Sequence, residues 1–211
     1  MKTNIVLIGF MGAGKTEVGK ILAKNKGFNF IDLDCLIEKK EGAAITEIFK
    51  QKGENYFRNL ETKILKELDK NKSDIYKIFK KYLNAGKDKI KEKAVNRKLV
   101  NFENSITTSK ESKNWVISTG GGMPVFNGNM KLLKNIGTTI YLKADAKTIY
   151  ERIKSETHRP VLGGKGFTER TVSEKLKERE KFYWQADMTI YTDGLTAHAS
   201  AEEIEIFLNV Y

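Results

Sequence analysis

The chain has 211 residues, 40% hydrophobic and 31% charged, enough for one folded unit with its own core. No run of about 18 apolar residues is present, and the N-terminal apolar stretch is broken by glycines and Lys15, so neither a membrane-spanning helix nor a signal peptide is expected. The net charge of +11 is uneven: Asp69 to Lys113 holds 13 Lys+Arg against 6 Asp+Glu, a balance of +7 that leaves +4 for the rest, which argues against a uniformly basic nucleic-acid binder.

In chain order, "NIVLIGF", Asn4 to Phe10, is a short continuous apolar run of the kind that forms a strand buried on both faces. A glycine-rich turn follows, then "KTEVGKILAKNKG" reads as a helix stopped at Gly27. "FNFIDLD" is a second strand, whose pleat would send Asp32 and Asp34 out on one side. "LIEKKEG" and "ITEIFKQKG" are short helices, each stopped by a glycine, and "ENYFRNLETKILKELDK" spaces Phe57, Leu60, Ile64, Leu65 and Leu68 as a helix face. The Asp69–Lys113 stretch reads as a basic, solvated insertion, part helical and part mobile, with Ile75, Tyr76, Phe79 and Leu83 as its apolar stripe. Its aromatics cluster on that stripe instead of spreading through the basic run as stacking platforms, which favours packing over nucleic-acid binding. "WVIST" is a third strand running into Gly120, Gly121 and Gly122, "NMKLLKNI" a helix, "TTIYLKA" a fourth strand and "AKTIYERIKSE" a helix. "THRPVLGGKGFT" is a glycine-rich loop, "SEKLKEREKFYWQA" a helix, "MTIYT" a fifth strand and "AEEIEIFLNVY" a closing helix. Strands alternating with helices predict an α/β fold of three layers, a five-stranded parallel sheet covered on both faces. The lone Cys35 can form no internal disulfide, which fits a reducing, cytoplasmic setting.

"GFMGAGKT", Gly9 to Thr16, matches G-x-x-x-x-G-K-[ST] in its required context, after a buried-type strand and at the start of a helix. Glycines let backbone N–H groups converge on phosphate oxygens, the helix N-terminus favours the anion, Lys15 suits the β- and γ-phosphates of ATP, and the Thr16 hydroxyl suits Mg2+. "WVIST" lacks the acidic end of a motor ATPase strand. A small-molecule kinase needs, beyond the P-loop, a carboxylate near the acceptor hydroxyl, fixed cations for an anionic substrate and a lid that excludes water. Asp34 suits the hydroxyl and Asp32 a water on the metal, although Asp is also a favoured helix N-cap. Arg58 in "YFRNLE" is a cation candidate, or equally a salt bridge to Glu54 or Glu61. Gly120 to Gly122 allow close approach of a small substrate, and Arg159 in "HRPVLGGKGF" sits where a flap over the phosphates could hinge. Arg179 in "LKEREKFY" follows that loop, on a helix with Glu neighbours.

The ordered set "GFMGAGKT", "FIDLDCLIE", "YFRNLE", "STGGG", "RPVL" and "KEREKFY" resembles the shikimate kinase family over essentially the whole chain outside Asp69–Lys113. The resemblance implies a nucleoside-monophosphate-kinase-like P-loop fold with a lid at 156–170 and the insertion at 69–113 within one unit of 1–211. It implies transfer of the ATP γ-phosphoryl to the 3-hydroxyl of shikimate, a step of the chorismate route to aromatic amino acids. Carried onto this chain, Gly12, Ala13, Gly14, Lys15, Thr16 and Glu17 wrap the phosphates, and Thr16 holds Mg2+ with Asp32 acting through water. Asp34 binds the shikimate hydroxyls and is the base, Arg58 and Arg179 pair with the carboxylate, and Gly121 and Gly122 line the ring. Arg159 is the lid arginine on ATP, catalytic together with Lys15 and Asp34, and Arg152 lies near adenine. Two positions depart from the family: Glu17 stands where Ser or Thr is usual, and "TDGLTAHASAEE" carries no arginine for adenine. The expected partner is the small-molecule substrate, with no membrane or nucleic-acid partner and a monomeric chain. Alternatives are gluconate kinase or another small-molecule P-loop kinase, and a nucleotide-binding module without turnover.

Overall fold

The structure, a computed structural model, describes residues 4–87, 106–107, 112–154 and 168–210. Five parallel strands and one antiparallel edge strand form a single sheet in the order β3-β2-β4-β1-β5-β6. The strands are β1 (Ile5–Ile8), β2 (Asn29–Asp32), β3 (Ile106–Thr107), β4 (Trp115–Ser118), β5 (Thr138–Lys143) and β6 (Met188–Tyr191). The predicted strands are thus present and parallel, and β1 lies centrally between β4 and β5. The two-residue β3 was not foreseen. It pairs antiparallel with β2 through Ile31↔Ile106 and Phe30↔Thr107, placing a piece of the basic segment on the sheet edge. Two residues are too few for any alternating pattern to show in sequence.

Period-two alternation divides the strands between two cores. Val6, Ile8, Ile31, Trp115, Ile117 and Tyr141 face one, packed by Leu36 of helix α2 (Leu33–Glu41), Ile64 of α3 (Ile45–Lys70) and Leu133 of α5 (Asn129–Ile136). α6 (Ala146–Ile153) and α7 (Glu169–Tyr183) extend that layer through Ile149 and Val172. Ile5, Leu7, Phe30, Val116, Ile140 and Leu142 face the other, packed by Leu22 of α1 (Lys15–Lys26) and Ile204 of α8 (Ala197–Val210). The result is the three-layer α/β/α arrangement expected from alternating strands and helices.

Several helix ends follow the glycines. Gly27 and Gly42 take left-handed C-cap conformations after α1 and α2. At Gly53 the chain also enters the left-handed region (φ 79°), but helix resumes at once, so the two predicted pieces form one kinked α3. Helix α4 (Ile75–Lys87) carries the predicted stripe with a correction: Ile75, Ile78, Phe79 and Tyr82 are buried, whereas Tyr76 is exposed. The Leu83 side chain lies outside the described residues. The buried face packs toward the sheet through Phe79 and Trp115, whose ring centroids are 6.2 Å apart. Lys40 of α2 lies 5.0 Å from the Tyr82 ring, and Lys81 pairs with Glu67 of α3 at 2.7 Å. Fully burying each such apolar side chain stabilises by roughly 1.5–3 kcal/mol.

Candidate active site

The carboxyl ends of β1, β2 and β4 open into one cleft of about 990 Å³, the position where open parallel sheets bind ligands. The β1–α1 turn forms its floor. Gly12 and Gly14 hold φ of 77° and 89°, the left-handed backbone that lets consecutive N–H groups point inward. Lys15 is buried, and its ammonium donates to the carbonyl oxygens of Gly9 (3.0 Å) and Phe10 (2.8 Å), curled over the turn it is expected to serve. Ala13 and Glu17 also line the cleft. Glu17 is exposed on the first turn of α1, where a carboxylate complements the helix dipole.

β2 ends at Asp32 and α2 begins at Leu33, so Asp32 and Asp34 do not leave one pleat as a pair. Asp32 is the N-cap of α2: its Oδ1 accepts from the backbone N–H of Asp34 (3.0 Å) and Cys35 (3.3 Å). Its Oδ2 accepts from the hydroxyls of Thr16 (2.6 Å) and Ser118 (3.0 Å). One oxygen therefore serves the cap, which leaves the other, beside the Thr16 hydroxyl, for the expected metal-side role. Ser118 was missed as a site residue; the register Asp32↔Ser118 puts the two side by side, and register is invisible before strands are paired.

Asp34 sits in the first turn of α2. Its Oδ1 is inaccessible to solvent and has no hydrogen-bond partner among the described residues. Burial, then the negative charges of Asp32 and Glu61, push its carboxyl far above the usual range, against the opposing pull of Lys15. Such a group takes protons near neutral pH, and it belongs to a residue that lines the cleft.

Arg58 is buried in α3. Its Nε and Nη2 donate to Glu54 Oε1 (3.1 and 2.9 Å), and its Nη1 donates to Glu61 Oε2 (2.9 Å). The salt bridges that sequence offered as an alternative to ligand binding are both present. They use three of the five guanidinium N–H groups, and the others have no acceptor among the described residues. Glu61 is fully buried with Oε1 unpartnered, and burial pushes its carboxyl up to about 7 despite the attraction of Arg58. Its place three residues after Arg58 was legible; its burial was not.

The three glycines after β4 make room for protein groups as well as for a ligand. A Cβ on Gly120 would collide with the Asp34 carboxylate, and one on Gly122 with the Arg58 guanidinium. A Cβ on Gly121 would lie 3.0 Å from the Met11 backbone nitrogen. The Gly121 carbonyl accepts from the Tyr183 hydroxyl at 2.5 Å, a contact with no sequence signal. Arg179 lines the same end of the cleft, its guanidinium 5.4 Å from the Phe10 ring. At the opposite end Arg152 donates to the Gly12 carbonyl (3.3 Å) and the Thr192 carbonyl (3.0 Å), joining the P-loop to the segment after β6. Arg159, and most of the predicted lid at 156–170, lie outside the described residues.

A phosphate-binding turn and an unpartnered carboxyl share this cleft with three arginines, which defines the class: a P-loop phosphotransferase of the α/β type acting on a small anionic molecule. The family model for shikimate kinase matches residues 11–79 and 70–209. A shikimate kinase of Persephonella marina is 35% identical over 95% of this chain and 96% of its own length, and that of Thermodesulfovibrio yellowstonii is 38% identical over 95% and 92%. The solved shikimate kinase of Acinetobacter baumannii in complex with shikimate matches with a TM-score of 0.75 and 30% identity, covering 100% of this chain and 94% of that one. The chain belongs to the shikimate kinase family.

Proposed function

We propose that this protein transfers the γ-phosphoryl group of ATP to the 3-hydroxyl of shikimate, giving shikimate 3-phosphate for the chorismate route to aromatic amino acids. The observation that carries the reading is the pairing of functions around Gly120–Gly122. An unpartnered carboxyl faces the cleft at one glycine and a guanidinium with spare donors lies at another, beside the P-loop. A substrate with hydroxyls at one end and a carboxylate at the other satisfies both. Family membership and the shikimate bound in the A. baumannii relative support the choice of substrate.

In this reading the substrate carboxylate pairs with Arg58 and Arg179, Gly121 and Gly122 line the ring, and the 3-hydroxyl donates to Asp34. The hydroxyl oxygen forms a bond to the γ-phosphorus as the bond from that phosphorus to ADP breaks, and Asp34 takes the proton. Lys15 leaves the Gly9 and Phe10 carbonyls for the phosphates, which gain the N–H groups of Gly12 to Glu17. Arg152 flanks adenine, and Arg159 closes over the phosphates from the lid. The Thr16 and Asp32 oxygens suit Mg2+, which favours few protein ligands together with waters and phosphate oxygens and would neutralise charge on the phosphates.

The test is ADP release measured side by side with shikimate, gluconate and nucleoside monophosphates. Turnover with shikimate alone is expected. Absence of turnover at millimolar shikimate, or preference for gluconate, overturns the proposal.

A further inference from the structure

We infer that Phe126, carried on a latched turn after the triple glycine, is a positioning residue that holds Arg58 ready for the substrate carboxylate; this rests on the assignment of Arg58 to that carboxylate. The Arg58 guanidinium carbon lies 4.3 Å from the Phe126 ring centroid, nearer than to Phe57 (5.4 Å) or Phe49 (5.7 Å). A guanidinium has its donors in the plane and a weakly hydrated face, so a ring beside it is attracted by charge without consuming an N–H group. Arg58 needs such a neighbour. Its hydrogen bonds go to Glu54 and Glu61, two carboxylates that draw the guanidinium toward themselves and must leave its two remaining N–H groups turned to the substrate carboxylate.

The turn that presents Phe126 is built for one position. Asn127 is the only non-glycine among the described residues with positive φ (54°), a conformation that Asn tolerates better than most residues and that still costs energy. Its amide donates to Thr62 Oγ1 at 3.0 Å, and that hydroxyl donates to the Arg58 carbonyl at 3.0 Å. The loop is therefore tied to the turn of α3 that carries Arg58. Gly128 continues the left-handed path (φ 67°), and the buried Asn129 donates to the Met123 carbonyl at 3.0 Å, closing the loop on itself. Arg58 thus meets both ends of one short segment: Gly122 leaves room for its guanidinium and Phe126 lies against it.

Steady-state kinetics on Phe126→Ala, Phe126→Leu, Phe126→Trp and Arg58→Ala test the inference. Phe126→Ala is expected to raise the KM for shikimate about three- to thirtyfold, the range set by losing one cation–π contact. Its kcat and KM for ATP should stay within about twofold, and Phe126→Trp should restore the KM. Phe126→Leu keeps apolar packing and should behave like Phe126→Ala; a wild-type KM there overturns the charge–ring basis. An unchanged KM in Phe126→Ala, with a raised KM in Arg58→Ala, overturns the inference and leaves the Arg58 assignment standing. An unchanged shikimate KM in Arg58→Ala overturns the assignment itself. A lowered kcat together with a rise in both KM values and a lowered Tm marks Phe126 as merely structural and also overturns the inference.

Discussion

Replacing Asp34 by Asn should make the enzyme nearly inactive and the fold more stable. Asp34 is raised from its ordinary 3.8 to about 8, first by burial and then by Asp32 and Glu61. Below pH 4 the group is neutral in folded and unfolded chains and costs nothing. Above it the unfolded chain gains by ionising while the folded chain does not, so the cost grows with pH until about 8 and is constant beyond. Four pKa units at 1.36 kcal/mol each set a ceiling of ~5 kcal/mol. The titration is shared with Asp32 and a real site relaxes around a charge, so on the order of 1–2 kcal/mol is expected. For a chain of this size that is a Tm gain of about 2–8 °C. The assay is thermal unfolding of both ligand-free proteins from pH 4 to 9, with the variant's advantage near zero at pH 4 and full above pH 8. In the same variant kcat should fall about a hundredfold or more while ATP still binds. A variant less stable than wild type at pH 8, or an advantage that does not change with pH, refutes the reasoning.

The glycines allow a matched pair. Gly120→Ala presses on Asp34 and should lower kcat, while Gly122→Ala presses on Arg58 and should raise the shikimate KM; both obstacles are side-chain ends, so unfolding midpoints should barely move, and the reverse assignment would show the two neighbours misplaced. The ratio kcat/KM for shikimate should rise with pH through neutrality, since Asp34 must ionise to take a proton. Glu61→Gln removes a charge that raises Asp34 and should shift that limb to lower pH; a stationary limb would remove Glu61 from the titration. Arg152→Ala loses the tie between Gly12 and Thr192 and should raise the KM for ATP alone, whereas an effect confined to shikimate would place Arg152 at the wrong end. Phe79→Ala, on the buried face of α4, should cost about 2–4 kcal/mol in denaturant unfolding with kcat little changed, and no loss would mean that α4 does not pack on the sheet.

Much of this fold was legible because its signals are local. Apolar runs of four to six residues with a glycine close to one end mark β1, β4 and β5, and Gly27 and Gly42 end helices by a backbone conformation that other residues avoid. What was not legible depends on which segments meet. Gly53 resembled the other stops, yet the helix continues beyond it, because a left-handed residue bends a chain as readily as it ends a helix. The stripe of α4 turned by a fraction of a turn, taking in Ile78 and Tyr82 and releasing Tyr76. Tyrosine is amphipathic, and which of two serves as core is decided by the surface it meets, here Trp115 and Lys40. The P-loop, Asp32, Asp34 and Arg58 could be picked out by residue type and spacing. Ser118, Phe126 and Tyr183 could not, since each acts across a packed interface between elements distant in sequence; Glu61 could be placed beside Arg58, but not its burial.

The two aspartates show why readings that looked exclusive in sequence were not. A helix cap needs one carboxylate oxygen and a metal-side hydroxyl cluster needs another, and Asp32 has both to give. By capping α2 it also fixes the helix turn on which Asp34 stands, so its structural role places the proposed base. Asp32→Asn keeps one oxygen and replaces the other with an amide that cannot accept. If the retained oxygen stays on the cap, fold stability should be nearly preserved while dependence on Mg2+ concentration steepens. If it turns instead to Thr16 and Ser118, α2 loses about 1 kcal/mol of capping and the Asp34 chemistry suffers with it. A Tm measured beside a Mg2+ titration separates the two, and a variant unchanged in both would remove Asp32 from either role.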